Sequence, residues 1–174
     1  MPRMHALELL PDEAGCDVVR RQWQALRDAG LPSQLDHRGA TNSPHVTVLA
    51  APAVGPDDEQ RARDLVAPLL PVEVRPAGIA LLGGNRVSLV RLVDVPDELV
   101  RAVLDLRSLV PGVQHAGWLP HVTLARRLPR ADVPAALDVV RSALITPSHR
   151  DVIRQAATLP GAQVVLDPGG PEAA

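Results

Sequence analysis

The tetrapeptide Pro-His-Val-Thr occurs twice in this chain, at positions 44–47 and again at 120–123. Four shared residues constrain little alone, but the segments around the two copies match as well. Hydrophobic period and turn chemistry give the order helix, short strand, helix, hairpin around each copy. From His45 to the hairpin glycine Gly83 is 38 residues, and from His121 to Gly161 it is 40. Self-similarity on this scale predicts an α+β fold of two pseudo-symmetric lobes, approximately 1–93 and 94–167, forming one domain. Each lobe is antiparallel sheet backed by helices, and the two copies line a central cleft. Residues 168–174 read as a flexible tail.

In more detail, Met4 to Leu10 is an apolar run ended by Pro11 and predicts a first strand. Asp12 offers an N-cap to a helix carrying Val18, Val19, Trp23 and Leu26, with Gly30 as its stop. Residues 31–43 have loop chemistry, and Pro44 opens a strand from His45 to Ala50. Pro56 and Asp57 begin a second helix with Leu65, Val66 and Leu69 on one face. Val72–Leu82 and Arg86–Val93 predict a hairpin around Gly83-Gly84-Asn85. Asp94 is expected to cap a third helix with Pro96 in its first turn and Leu99, Val100, Val103, Leu104 and Arg107 as its stripe. Pro111 to Leu119 is a second loop, and Pro120 opens the strand His121–Ala125. Asp132 is expected to cap a helix from Val133 to Leu144 with Leu137, Val140 and Leu144 facing inward. A final hairpin spans Val152–Leu159 and Ala162–Leu166.

Composition narrows the function. The core must be aliphatic, because Trp23 and Trp118 are the only aromatic side chains in 174 residues. A net charge of −2 excludes broad binding of duplex nucleic acid, which depends on many phosphate contacts. A local Arg cluster can still hold one or two phosphates. The lone Cys16 excludes an internal disulfide and a Cys-based zinc site. With no secretory h-region and no stretch near the roughly 18 apolar residues of a membrane span, a cytoplasmic protein without a membrane partner is expected, monomeric by default. There is no G-x-x-x-x-G-K-[ST], G-x-G-x-x-G, G-x-S-x-G or H-E-x-x-H pattern, so neither ATP-driven chemistry nor a metal or other cofactor is expected.

Alternate strand residues share a face, so His45 and Thr47 project opposite Val46 and Val48, and His121 and Thr123 opposite Val122 and Leu124. Pseudo-symmetry would set two imidazoles and two hydroxyls around one small site. One imidazole, neutral, takes a proton from attacking water while the other, protonated, gives one to the leaving oxygen. The hydroxyls can donate to non-bridging phosphoryl oxygens as charge develops.

The paired His-Val-Thr-Val and His-Val-Thr-Leu, 76 residues apart, resemble the two HxTx motifs of the two-histidine (2H) phosphoesterase superfamily. The stretch Pro-His-Val-Thr-Leu-Ala-Arg is most similar to its bacterial branch of 2'-5' RNA ligases and RNA 2',3'-cyclic phosphodiesterases. This resemblance implies hydrolysis of 2',3'-cyclic phosphates, on an RNA 3' end or a small nucleotide, to 2'-phosphomonoesters. It implies His121 as general base, His45 as general acid, and Thr47 and Thr123 as phosphate binders. An Arg five positions after the second motif histidine falls on Arg126 and is the implied third phosphate contact. Strict alternation instead puts Arg127 on the cleft face, so a bulge must precede Arg126 or Arg127 takes its place. No Arg matches near the first motif.

Trp118, three residues before His121, is a candidate to stack on a nucleobase, or else a plug for the core. His37 and His115 lie 8 and 6 residues before the motif histidines and are further candidates for the cleft. Two other functions use the same groups: a non-catalytic nucleotide-binding module, and a 2'-5' RNA ligase in which a 5'-hydroxyl replaces water.

Overall fold

Strand β1 (His5–Leu9) pairs antiparallel with β2 (Val46–Ala51), and helix α1 (Glu13–Asp28) lies between them in sequence. The computed structural model describes residues 4–37, 42–144 and 157–159. Helix α1 starts where Asp12 accepts a 2.7 Å hydrogen bond from the Gly15 amide. It ends where Gly30, at φ +70°, lets the Gly30 and Leu31 amides close back on Arg27 and Leu26. Both signals are those read from the sequence.

The second sheet is larger. Helix α2 (Pro56–Leu65) leads to the hairpin of β3 (Val72–Gly83) and β4 (Arg86–Asp94). After α3 (Asp97–Leu109), strand β5 (His121–Pro129) adds to β4. Helix α4 (Val133–Leu144) follows, and β6 (Ala157–Leu159) pairs with the start of β3. The strand order is β5-β4-β3-β6, antiparallel throughout, so this sheet draws on both halves of the chain. The remainder of the expected last hairpin, and the tail 168–174, lie outside the described residues.

Helices α1 and α4 pack together, with α1 also against β5, while α2 packs on α3. Ala62 and Val66, at the end of α2, face Leu7, Leu9 and Val48 around a small apolar gap. One aliphatic core results. Leu26, Leu49, Leu89, Leu106, Leu124 and Leu128 have no exposed surface, with Trp23 wedged among them. No helix among the described residues is long and apolar enough to cross a membrane.

Three local expectations need correction. Asp94 does not cap α3: it is the last residue of β4, held in the ladder opposite Arg75, and Pro96 precedes the helix with no side-chain cap. Leu104 and Leu137 are not inward; they are 38% and 37% exposed, while Leu99, Val103 and Val140 are buried as expected and Leu106 and Ala136 join them. The loop 31–43 contains a 3-10 turn at Gln34–Asp36, closed by a reciprocal Ser33–Asp36 capping box.

Candidate active site

Each motif histidine follows a proline, and the proline explains how its ring is held. Proline restricts the preceding residue to extended backbone and fixes its own φ. The carbonyl two residues before each histidine is therefore aimed at the ring. The Ser43 carbonyl lies 2.8 Å from His45 Nδ1, and the Leu119 carbonyl 2.6 Å from His121 Nδ1. A carbonyl only accepts, so in both rings Nδ1 carries the proton and Nε2 is the nitrogen turned away from that carbonyl. The full tetrapeptide Pro-His-Val-Thr thus has a mechanical meaning beyond its histidine and threonine.

Both motif strands also break at the same place. In β2, Thr47 is paired with Glu8 and Leu49 with Leu7, leaving Val48 as an extra residue. In β5, Thr123 is paired with Val90 and Ala125 with Leu89, leaving Leu124 extra. Each is a bulge immediately after the motif threonine. Its mark is two consecutive buried side chains: Val48 and Leu49 at 3% and 0%, Leu124 and Ala125 both at 0%.

The second bulge bears on the two arginines. By inverting the alternation, it returns residue 126 to the face of His121 and Thr123. Arg126 is exposed there. Arg127 is also exposed, in left-handed backbone at φ +57°, where Arg126 and Arg127 together stand opposite Ser88 between the Leu89–Ala125 and Val87–Leu128 pairs. The position five after His45 is Ala50, so the first motif has no cation at the corresponding place.

The two motif strands are joined by the loop that leads into β5. The Gln114 amide donates to the Ala50 carbonyl at 2.9 Å, and Trp118 Nε1 donates to the Thr47 carbonyl at 2.8 Å. Arg107 clamps the same junction, donating to the carbonyls of Val48, Gln114 and His115 at 2.6–2.9 Å. His121 therefore begins three residues beyond a group bonded to the first motif. His45, Thr47, His121 and Thr123 are all half-buried, above the buried residues Val46, Val48, Val122 and Leu124 that anchor them. Trp118 is half-buried at this seam, with its N–H already committed.

His37 and His115 are exposed. His37 ends the 3-10 turn, and His115 has left-handed backbone at φ +65° with its carbonyl turned to Arg107. Among the described residues no group of three or more His, Cys, Asp or Glu is arranged to hold a metal ion.

Sequence reasoning missed Glu8. Its Oε1 lies 3.3 Å from His45 Nε2, and its side chain is only 13% exposed. The available signal was a carboxylate set between the buried Leu7 and Leu9.

A model of the 2'-5' RNA ligase superfamily matches residues 16–154. No curated protein matches the chain. Among solved structures, that of Usb1 from Kluyveromyces marxianus aligns at 14% identity and a TM-score of 0.41, over 91% of this chain and 98% of that one. With the family model spanning α1 to beyond α4 and both Pro-His-Val-Thr motifs, the chain belongs to the 2'-5' RNA ligase superfamily of two-histidine phosphoesterases.

Proposed function

We propose that the protein opens a 2',3'-cyclic phosphate, at an RNA 3' end or on a small nucleotide, to the 2'-phosphomonoester without a metal ion in the step. Water attacks phosphorus while His121 Nε2 takes its proton. The bond from phosphorus to O3' breaks, and O3' leaves with the Nε2 proton of His45. The Thr47 and Thr123 hydroxyls donate to the non-bridging oxygens, and the Arg126 guanidinium offsets the charge that gathers there. The chain's weak net charge fits a strand end or a small nucleotide better than a long tract.

The observation that carries this reading is the matched pinning of the two imidazoles. Each commits Nδ1–H to the carbonyl two residues before it, so proton transfer falls to Nε2 in both. A general acid and a general base of this kind each contribute about 10²–10⁴ to rate.

The test is a panel of nucleoside 2',3'-cyclic phosphates and short RNAs with cyclic phosphate ends, incubated with and without chelator. Products are separated against 2'- and 3'-monophosphate standards. The expected product is the 2'-monoester in both arms, with turnover lost in His45→Ala and in His121→Ala. Because the two act as one proton-transfer unit, the double variant is scarcely worse than either single one. A 3'-monoester, dependence on a divalent ion, or full activity in His121→Ala overturns the reading. Intact substrates together with thermal stabilisation by a nucleoside monophosphate would make the site a binding module. Joining to a 5'-hydroxyl end would make it a ligase.

A further inference from the structure

The two halves of the site are matched in backbone and mismatched in charge. The residue paired with Thr123 across the ladder is Val90, fully buried, whereas the residue paired with Thr47 is Glu8. On the second motif strand the position after the bulge is Arg126; on the first it is Ala50. A carboxylate thus stands beside one histidine, and a guanidinium shares the face of the other.

The carboxylate decides how many protons its histidine holds. His45 Nδ1 needs one proton to bond the Ser43 carbonyl. Nε2 lies 3.3 Å from Glu8 Oε1, so a proton carried there faces a carboxylate within ion-pair distance. The described partner of His121 is the Leu119 carbonyl at Nδ1, so the carboxylate distinguishes the two otherwise matched rings. We infer that Glu8 is a positioning residue that keeps a proton on the Nε2 side of His45, which makes His45 the acid and leaves His121 as the base.

This rests on the cyclic phosphodiesterase reading and deepens it, since the paired motifs alone are too symmetric to say which histidine gives the proton. At 3.3 Å the contact is longer than the about 2.7–2.9 Å of a tight charge-assisted bond. A contact this loose can give way to the departing O3' as the proton moves to it. Glu8 acts through His45 and need not touch the substrate.

The experiment compares two substrates: a nucleoside 2',3'-cyclic phosphate, and its analogue with sulfur in place of the 3' bridging oxygen. A thiolate leaves without being protonated, so the analogue has no need of an acid. In Glu8→Gln, kcat on the oxygen substrate is expected to fall by about tenfold or more at nearly unchanged KM. On the sulfur substrate the same variant is expected to keep most of its wild-type rate. Glu8→Asp, which retains the carboxylate, recovers part of the loss, and His45→Ala shows the same sulfur rescue. His121→Ala loses both substrates. Wild-type turnover of the oxygen substrate by a folded Glu8→Gln protein overturns the inference, as does an equal loss on both substrates. A wild-type protein inactive on both removes the parent reading instead, and the role of Glu8 with it.

Discussion

Trp118 donates its indole N–H to the backbone carbonyl of Thr47 at 2.8 Å, and Trp23 donates in the same way to the carbonyl of Thr123 at 2.9 Å. The chain's two aromatic residues are therefore spent on its two motif threonines. Each threonine lies on an edge strand, and each bond fixes a motif strand to a segment outside its own sheet. Replacing Trp by Phe keeps most of the ring and removes the donor. In Trp23→Phe, 2% exposed in the native protein, the stranded Thr123 carbonyl is expected to lower stability by about 1–3 kcal/mol in denaturant unfolding. Trp118→Phe is half-buried and reachable by water, so its stability loss is smaller. Its larger effect is expected on kcat, because the bond sets the first motif against the segment that delivers the second.

Arg126 and Arg127 are neighbours with opposite expected effects. The bulge puts Arg126 on the face of His121 and Thr123, so Arg126→Ala should raise KM and lower kcat for a cyclic phosphate, with Arg126→Lys recovering charge and not the planar fork. Arg127 occupies left-handed backbone, where an L side chain is strained by about 1–2 kcal/mol relative to glycine. Arg127→Gly should keep full activity and leave the melting temperature unchanged or higher. Loss of turnover in the second variant and not the first would reverse the assignment.

What could be read from the sequence was whatever is decided by neighbours along the chain. The Asp12 cap, the Gly30 stop, the Gly83-Gly84-Asn85 hairpin and the two motif strands depend on residues within a few positions of each other, and all appear where expected. Register across strands was not legible in the same way. Glu8 reaches His45 only because β1 pairs with β2 with one residue skipped at Val48, and no local pattern encodes that skip. The displaced start of α3 has a similar cause: Asp94 is a good cap by type, but pairing with Arg75 holds it in the sheet. The outward turn of Leu137 follows from the packing of α4 on α1, which chooses the helix face centred on Ala136 and Val140.

Cys16 reports on whether α1 stays docked. Its thiol is 7% exposed and donates to the Pro11 carbonyl at 3.5 Å. Burial pushes its pKa up, with Arg20 opposing more weakly. Since the thiolate is the reactive form, a raised pKa means less of it at neutral pH. A disulfide reagent should therefore label the native protein far more slowly than the unfolded chain. The native rate should also keep rising with pH after that of a free thiol has levelled off. Rapid labelling of the folded protein at neutral pH would mean that α1 opens on its own.

A buried arginine and a half-buried one allow a direct comparison of poorly paired and better paired charge. Burial lowers the pKa of both Arg91 and Arg107. Arg107 has three carbonyl acceptors within 2.9 Å that include the bulged Val48, although its Nε has no partner among the described residues. Arg91 is 8% exposed, and its bonds to Gln22 Oε1 and the Ala77 carbonyl are long, at 3.5 and 3.4 Å. Its second terminal nitrogen and Gln22 Nε2 have no partner among the described residues. A buried cation gains little from such contacts and still bears its desolvation cost, so a hydrophobe of similar length should replace it at no loss. Arg91→Met is expected to leave stability unchanged or raise it. Arg107→Met strands three carbonyls and should lower stability by at least about 1.5–3 kcal/mol, the worth of a charged hydrogen bond. Denaturant midpoints for the two variants, measured side by side, check the contrast, and equal losses would show that Arg91 is better solvated than its contacts indicate.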